Sequence, residues 1–204
     1  MSANRFNDNY SEMTGAIILA AGSSSRLGLP KQNLVFKGKT LLQRAVETAE
    51  ASICEPIIVV LGANADLIRP TLAGYQITIV QNDDWQQGMA SSIQAGAKEL
   101  KNTNPALDSL ILMLCDQPFV DTWLLNLLIM AKGKDGIVVS AYNDTIGPPV
   151  LFDKIYLDDL IALKGAEGAK KVIQHYPHAI VEITFPQGGI DIDTIADYEK
   201  LNAI

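Results

Sequence analysis

The chain has 204 residues, enough to bury a substantial core, and its 48% hydrophobic and 19% charged composition is that of an ordinary folded protein rather than a disordered one. A net charge of −7 excludes a broad phosphate-backbone surface, which needs Lys and Arg gathered on one face, so no nucleic-acid partner is expected. No apolar run reaches the roughly 18 residues of a membrane crossing, so no membrane partner is expected either.

Residues 1–13 are polar without an apolar centre and read as a flexible N-terminal tail, not a signal peptide; residues 14–204 read as one domain, and the expected location is cytoplasmic. Apolar, β-rich runs at 16–20, 56–62, 77–81, 109–115 and 136–142 alternate with helix-like segments. That alternation predicts an α/β fold with a three-layer, doubly wound, mostly parallel sheet. Between the first two runs, Thr40 followed by Gln43 is a capping-box signature, with Leu41, Ala45, Val46 and Ala49 on the inward face. Further along, Met89, Ile93, Ala97 and Leu100 share one helix face, and Asp121 caps the next helix. Trp85 and Trp123 read as packing residues. After Tyr142 the elements shorten and are interrupted by Gly and Pro, predicting a small β-hairpin or lid excursion. Thr194 with Asp197 caps a closing helix. Cys54 and Cys115 form no CxxC pair and read as buried thiols, and with only His175 and His178 no zinc-type cluster is available.

The chemistry concentrates after the first strand, where "LAAGSSSRLGLPK" runs from Leu19 to Lys31. In parallel α/β sheets the ligand crevice lies outside the carboxyl ends of the strands, which is where this loop emerges. Gly22 and Gly28 permit close approach or positive φ, while backbone N–H groups and the hydroxyls of Ser23, Ser24 and Ser25 can donate to phosphate oxygens. Arg26 and Lys31 supply charge. A Walker A loop is excluded because Leu29 follows Gly28 where Lys should stand, and the dinucleotide fingerprint fails because Ser24 stands where a glycine is required. Asp116, at the carboxyl end of a strand, suits a hard cation such as Mg²⁺, or is simply a turn residue in "CDQP". Asp191 and Asp193 point to one side of an extended stretch and Ile192 to the other, so either carboxylate can be the second metal ligand. Asp193 alternatively serves the helix that follows it. Gly88, Ser91 and Ser92 open a helix and either face a nucleoside or cap.

The loop resembles the LAAGxSxRMGxxK signature of the MobA-like nucleotidyltransferases, with Leu27 in place of Met. "GMASSIQAG", "DQPF", "GPPVLF", "GAEGAKK" and "IDIDTIADY" follow in the order seen in the molybdenum cofactor cytidylyltransferase branch. The resemblance implies a Rossmann-like nucleotidyltransferase fold and transfer of a nucleotidyl group from an NTP to a phosphate-bearing acceptor. It implies Ala20, Ala21 and the loop through Lys31 as the triphosphate site, with Arg26, Lys31 and Asp116 catalytic and Mg²⁺ held at Asp116 and Asp191 or Asp193. Gly88, Ser91 and Ser92 fall near the nucleoside. On the acceptor side it places Gly147, Pro148, Lys170 and Lys171; the family's usual "GHP" is here Gly147-Pro148-Pro149, so Pro148 brings no donor and the two lysines become the candidate anchors. "LAAG", Pro30-Lys31 and "DIDT" favour CTP over GTP and molybdopterin as acceptor, with an acceptor enzyme as a further partner. Another NTP, a sugar or alcohol phosphate, or a non-catalytic nucleotide-binding role are the alternatives.

Overall fold

The run TGAIILA forms β1 (Thr14–Ala20), every residue of which is buried. A strand apolar on both faces needs strands along both edges and helices over both faces. It obtains them from β4 (Ile57–Leu61) on one side and β6 (Ser109–Leu114) on the other, both parallel to it. In the computed structural model, which describes residues 12–203, the sheet has seven strands in the order β5-β4-β1-β6-β8-β7-β9. β5 is Thr78–Gln81, β7 Ile137–Tyr142, β8 Thr145–Asp153 and β9 Ile180–Thr184. The order reverses between β1 and β6, the place where such sheets open a crevice at their carboxyl ends. A two-stranded hairpin, β2 (Val35–Phe36) with β3 (Lys39–Thr40), lies apart from this sheet.

Helices cover both faces. On one, Leu42 and Val46 of α1 (Leu41–Glu50), Ile68 of α2 (Ala65–Ile68) and Leu125 and Leu128 of α4 (Thr122–Met130) pack on Ile18, Val59 and Ile111. On the other, Ile93 and Ala97 of α3 (Met89–Thr103), Leu160 of α5 (Leu157–Ala162) and Ile173 of α6 (Lys170–His175) pack on Ile17, Ile58 and Val60. A smaller cluster of Leu27, Leu34, Phe36, Ile192 and Leu201 ties the loop after β1 to α7 (Ile195–Asn202). Cys54 and Cys115 are buried and unpaired, and burial pushes their thiols up to about 11 and about 12. Among the described residues no helix is long and apolar enough to cross a membrane.

The capping boxes at Thr40/Gln43 and Thr194/Asp197 are present, and Asp121 accepts from the Leu124 N–H. Three expectations change. Met89 is 46% exposed, because it is the first residue of α3 and stands clear of the face that carries Ile93, Ala97 and Leu100. Trp123 is 68% exposed and joins no core cluster: α4 buries Leu124, Leu125 and Leu128, and residue 123 projects from the opposite side. The hairpin after Tyr142 is no excursion from the sheet; β8 is a nine-residue strand, antiparallel to both neighbours, between β6 and β7. It carries Pro148 and Pro149 in an interior position because the register with β7 shifts between Val139 and Ser140, which releases both prolines from the ladder. Of the tail expected over 1–13, residues 1–11 lie outside the described residues, while Glu12 pairs with Lys132 at 3.1 Å and Met13 bonds Asp108 through its main chain.

Candidate active site

Beyond Ala20 the chain leaves the sheet, and no backbone N–H from Ala21 through Arg26 finds an acceptor among the described residues. Unpaired N–H groups are costly when buried. Here Gly22, Ser23, Ser25 and Arg26 are exposed, so this run of donors is available to an anion. Gly22 is not the left-handed residue of the loop: that conformation falls to Ser24 (φ 55°) and Gly28 (φ 71°). Ser24 is held there by its own hydroxyl, which accepts from the Lys31 N–H at 3.0 Å. Arg26 remains at the surface, with Nη1 3.4 Å from Asp193 Oδ2.

Lys31 opens a short 3-10 turn, and its Nζ donates to Asp116 Oδ2 and, at 2.9 Å, to Asp193 Oδ1. The Lys31 and Asp116 side chains are 17% and 11% exposed, against 44% for Asp193, so the first contact is the sheltered one. Burial by itself lowers the pKa of an ammonium, but the Asp116 charge and the bonds to both carboxylates outweigh it and raise Lys31, which stays protonated. Asp116 stands two residues past the end of β6, and its carbonyl accepts from the Ile192 N–H at 3.2 Å, which brings residues 191–193 alongside. They form no strand there, yet the alternation holds: Ile192 is buried, Asp191 exposed and Asp193 intermediate. Asp191 stays off the lysine. Although Asp191 is exposed, partial desolvation of its carboxyl and then the Asp116 and Asp193 charges raise it.

This donor set fits a divalent cation. Asp116 Oδ1 is buried with no partner, and Asp191 is repelled by Asp116; a hard cation between carboxylate oxygens relieves both. Among the described residues no three acidic, Cys or His side chains are already gathered around one point, so Asp116, Asp191 and Asp193 are not a ready-made triad. Ligand phosphates would complete the shell.

A cavity of about 360 Å³ adjoins these groups, with Leu19, Ala21, Gly22, Ser23, Lys31 and Asp116 on one side and Trp85, Gln86, Gly88, Met89 and Ser92 on the other. Gly88 has φ 110°, and a Cβ there would lie 2.4 Å from the Gly165 carbonyl oxygen, so the backbone it must approach is the protein's own. The Ser91 hydroxyl turns inward to the Asp84 and Gly88 carbonyls. Asn82 donates to both Ser91 Oγ and Ser92 Oγ. The acceptor-side residues do not join this cluster: Lys170 Nζ lies 3.0 Å from Thr145 Oγ1, Lys171 pairs loosely with Glu167 at 3.9 Å, and Gly147 makes room for the Tyr142 hydroxyl. The Pro148 carbonyl accepts from Gln117 Nε2, which also donates to Gly188 O. Gln32, Asn82 and Gln117, three buried amides that brace the site, carry no signal in the sequence, where a lone Gln or Asn has no spacing signature; Trp85 packs against the core as expected and also lines the cavity, as does Met89.

The chain is 29% identical over 198 residues to nicotine blue oxidoreductase of Paenarthrobacter nicotinovorans, covering 91% of this chain and 94% of that protein. It is 28% identical over 183 residues to the molybdenum cofactor cytidylyltransferase of Escherichia coli, covering 89% and 92%. Among solved structures, Rv0371c of Mycobacterium tuberculosis superposes with a TM-score of 0.82 at 28% identity over 95% of this chain and 99% of that one. Its complex with manganese superposes at 0.75 with 27% identity, covering 94% and 98%. The family model described as the MobA-like NTP transferase domain matches residues 16–180, a span that takes in the loop after β1, Lys31, Asp116 and the cavity wall. By fold, by site and by this match, the chain belongs to the MobA-like NTP transferase domain family.

Proposed function

We propose that this MobA-like transferase is a Mg²⁺-dependent cytidylyltransferase that moves CMP from CTP to a phosphate-bearing acceptor, molybdopterin being favoured, and releases pyrophosphate. The observation that carries the reading is the Lys31 ammonium, held by Asp116 and Asp193 beside a loop whose N–H groups have no other acceptor. The cytidylyltransferase relative and the manganese-bound neighbour support it. An oxygen of the acceptor phosphate attacks the α-phosphorus, the bond to the bridging oxygen of the β-phosphate breaks, and pyrophosphate leaves with that electron pair. An acceptor phosphate is already ionised at neutral pH, so the reaction needs position and charge neutralisation rather than a side-chain nucleophile. The loop donors bind the triphosphate, and Lys31 and Arg26 neutralise the leaving group. Asp116 with Asp191 or Asp193 would hold the divalent ion, which when bound supplies further charge neutralisation on the phosphates. A cytoplasmic location and delivery of the product to an acceptor enzyme belong to the same reading.

Thermal melting with Mg²⁺ and CTP, GTP, ATP, UTP or NAD tests it. Ligand at about 100 times its Kd adds roughly 2.7 kcal/mol to the folded state, and CTP is expected to give the largest rise. Pyrophosphate release on adding molybdopterin completes the assignment. A larger rise with GTP would move the protein to another NTP. A rise with NAD alone would favour a reductase, the second reading, for which the oxidoreductase relative speaks.

Asp191→Asn separates stability from turnover. A carboxyl whose folded pKa is raised destabilises the fold above that pKa, and the penalty fades as pH falls through it toward the unfolded value. Without divalent cation, the variant is therefore expected to melt higher than the parent at pH 8 and to match it in acid. If Asp191 is the metal ligand, turnover falls in the same variant. A lower melting temperature at pH 8 would refute the repulsion.

A further inference from the structure

Gln32 is 0% exposed although it stands beside Lys31 at the edge of an open site. Burying a primary amide is costly unless its bonds are made. These are: Nε2 donates to Ala20 O at 2.8 Å and to Gly22 O at 3.0 Å, and Oε1 accepts from Ser24 Oγ at 3.4 Å. One side chain thus grips the loop after β1 at three residues. The same Ser24 hydroxyl accepts from the Lys31 N–H, so the grip also reaches the main chain of the lysine.

A trans peptide sets each carbonyl antiparallel to the N–H of the following residue. The cis peptides among the described residues are at Glu55-Pro56 and Pro148-Pro149, so the loop peptides are trans. Drawing the Ala20 and Gly22 carbonyls onto Gln32 therefore turns the N–H groups of Ala21 and Ser23 away from it. Neither N–H has an acceptor among the described residues, and both residues line the cavity beside Lys31. An apolar side chain would fill the same space but leave both carbonyls free to rotate, and the N–H groups with them.

We infer that Gln32 is the positioning residue of the phosphate loop: it holds the Ala20 and Gly22 carbonyls inward so that the Ala21 and Ser23 N–H groups face a polyphosphate. It touches no substrate. The inference rests on the nucleotidyltransferase reading and adds the residue that shapes its anion site.

The test is amide NMR of the full chain, titrated with magnesium pyrophosphate, for the parent, Gln32→Met and Gln32→Glu. Methionine keeps the length without a donor, and glutamate keeps the shape but, ionised or protonated, cannot donate to both carbonyls. In the parent, the Ala21 and Ser23 amide protons are expected to shift downfield, and the Gln32 side-chain NH₂ to exchange slowly. In both variants pyrophosphate affinity is expected to fall at least tenfold and the two shifts to disappear, while amides across the sheet keep their positions. A variant that binds pyrophosphate as the parent does, with the same two shifts, overturns the role of Gln32 and leaves the nucleotidyltransferase reading standing. A parent that binds neither pyrophosphate nor any NTP overturns both. If neither variant folds, the parent decides: fast exchange of the Gln32 NH₂, or pyrophosphate binding without the Ala21 and Ser23 shifts, sinks the inference.

Discussion

Lys31→Met is expected to lower kcat/KM for nucleotidyl transfer by about two to three orders of magnitude, the usual effect of deleting one donor aimed at developing charge. The same change should also destabilise the ligand-free protein. Asp116, sheltered and with Oδ1 already unpartnered, would lose the cation on Oδ2, and stripping one partner from a buried pair costs about 3 kcal/mol. Asp193, nearly half exposed, can return to water. Two further measurements separate these effects. Lys31→Met combined with Asp116→Asn should recover the melting temperature without recovering turnover. Millimolar Mg²⁺ alone should raise the melting temperature of Lys31→Met more than that of the parent, because Lys31 and the ion both neutralise Asp116. Parent-like turnover in Lys31→Met would remove the lysine from the mechanism. Lys31's raised pKa makes its stabilising contribution fully present below the ordinary lysine value, so the comparison holds across pH 6 to 9.

Gly88→Ala is expected to be the most damaging small substitution at the site. An L-residue at φ 110° is strained, and the new Cβ would stand 2.4 Å from Gly165 O and 2.7 Å from Gly165 C. Both are backbone atoms, so no rotamer change relieves the contact. Strain and overpacking together amount to about 3 kcal/mol, or roughly 6–12 °C in Tm for a chain of this size. Gly88 also caps α3 and lines the cavity opposite Lys31, so nucleotide affinity should fall with stability. Gly22→Ala is the control. Its Cβ would meet nothing within 4 Å and its φ is not left-handed, so Tm should move by about 2 °C or less. Equal losses in the two variants, read by calorimetry, would show that the Gly88–Gly165 approach is not what constrains the wall.

The acceptor side is where the relatives bear least on this chain. Proteins named for an oxidoreductase and for a cytidylyltransferase both align over nine-tenths of it or close to that, so the shared fold does not select the acceptor. Pro148 and Pro149 sit where the β7–β8 register shifts, and Gln117 braces the Pro148 carbonyl.

Local patterns in the sequence determined much of the architecture. The apolar runs became strands, and Thr40, Asp121 and Thr194 became caps, because these features depend on neighbours two to four residues away. The loop from Leu19 to Lys31 was legible for a related reason: small residues, hydroxyls and cations after an apolar strand leave backbone donors unpaired at a predictable edge. Which face of α4 met the sheet was not legible, since Trp123 and Leu124 are both large hydrophobic residues and only packing decides between them. Nor was the place of β8, whose prolines argue against an interior strand until a shift of register admits them. The charges were settled last. Lys31 meets Asp116 across 85 residues and Asp193 across 162, and Gln32 disappears beneath the loop it holds, because long-range pairing and burial exist only after the strands are in order.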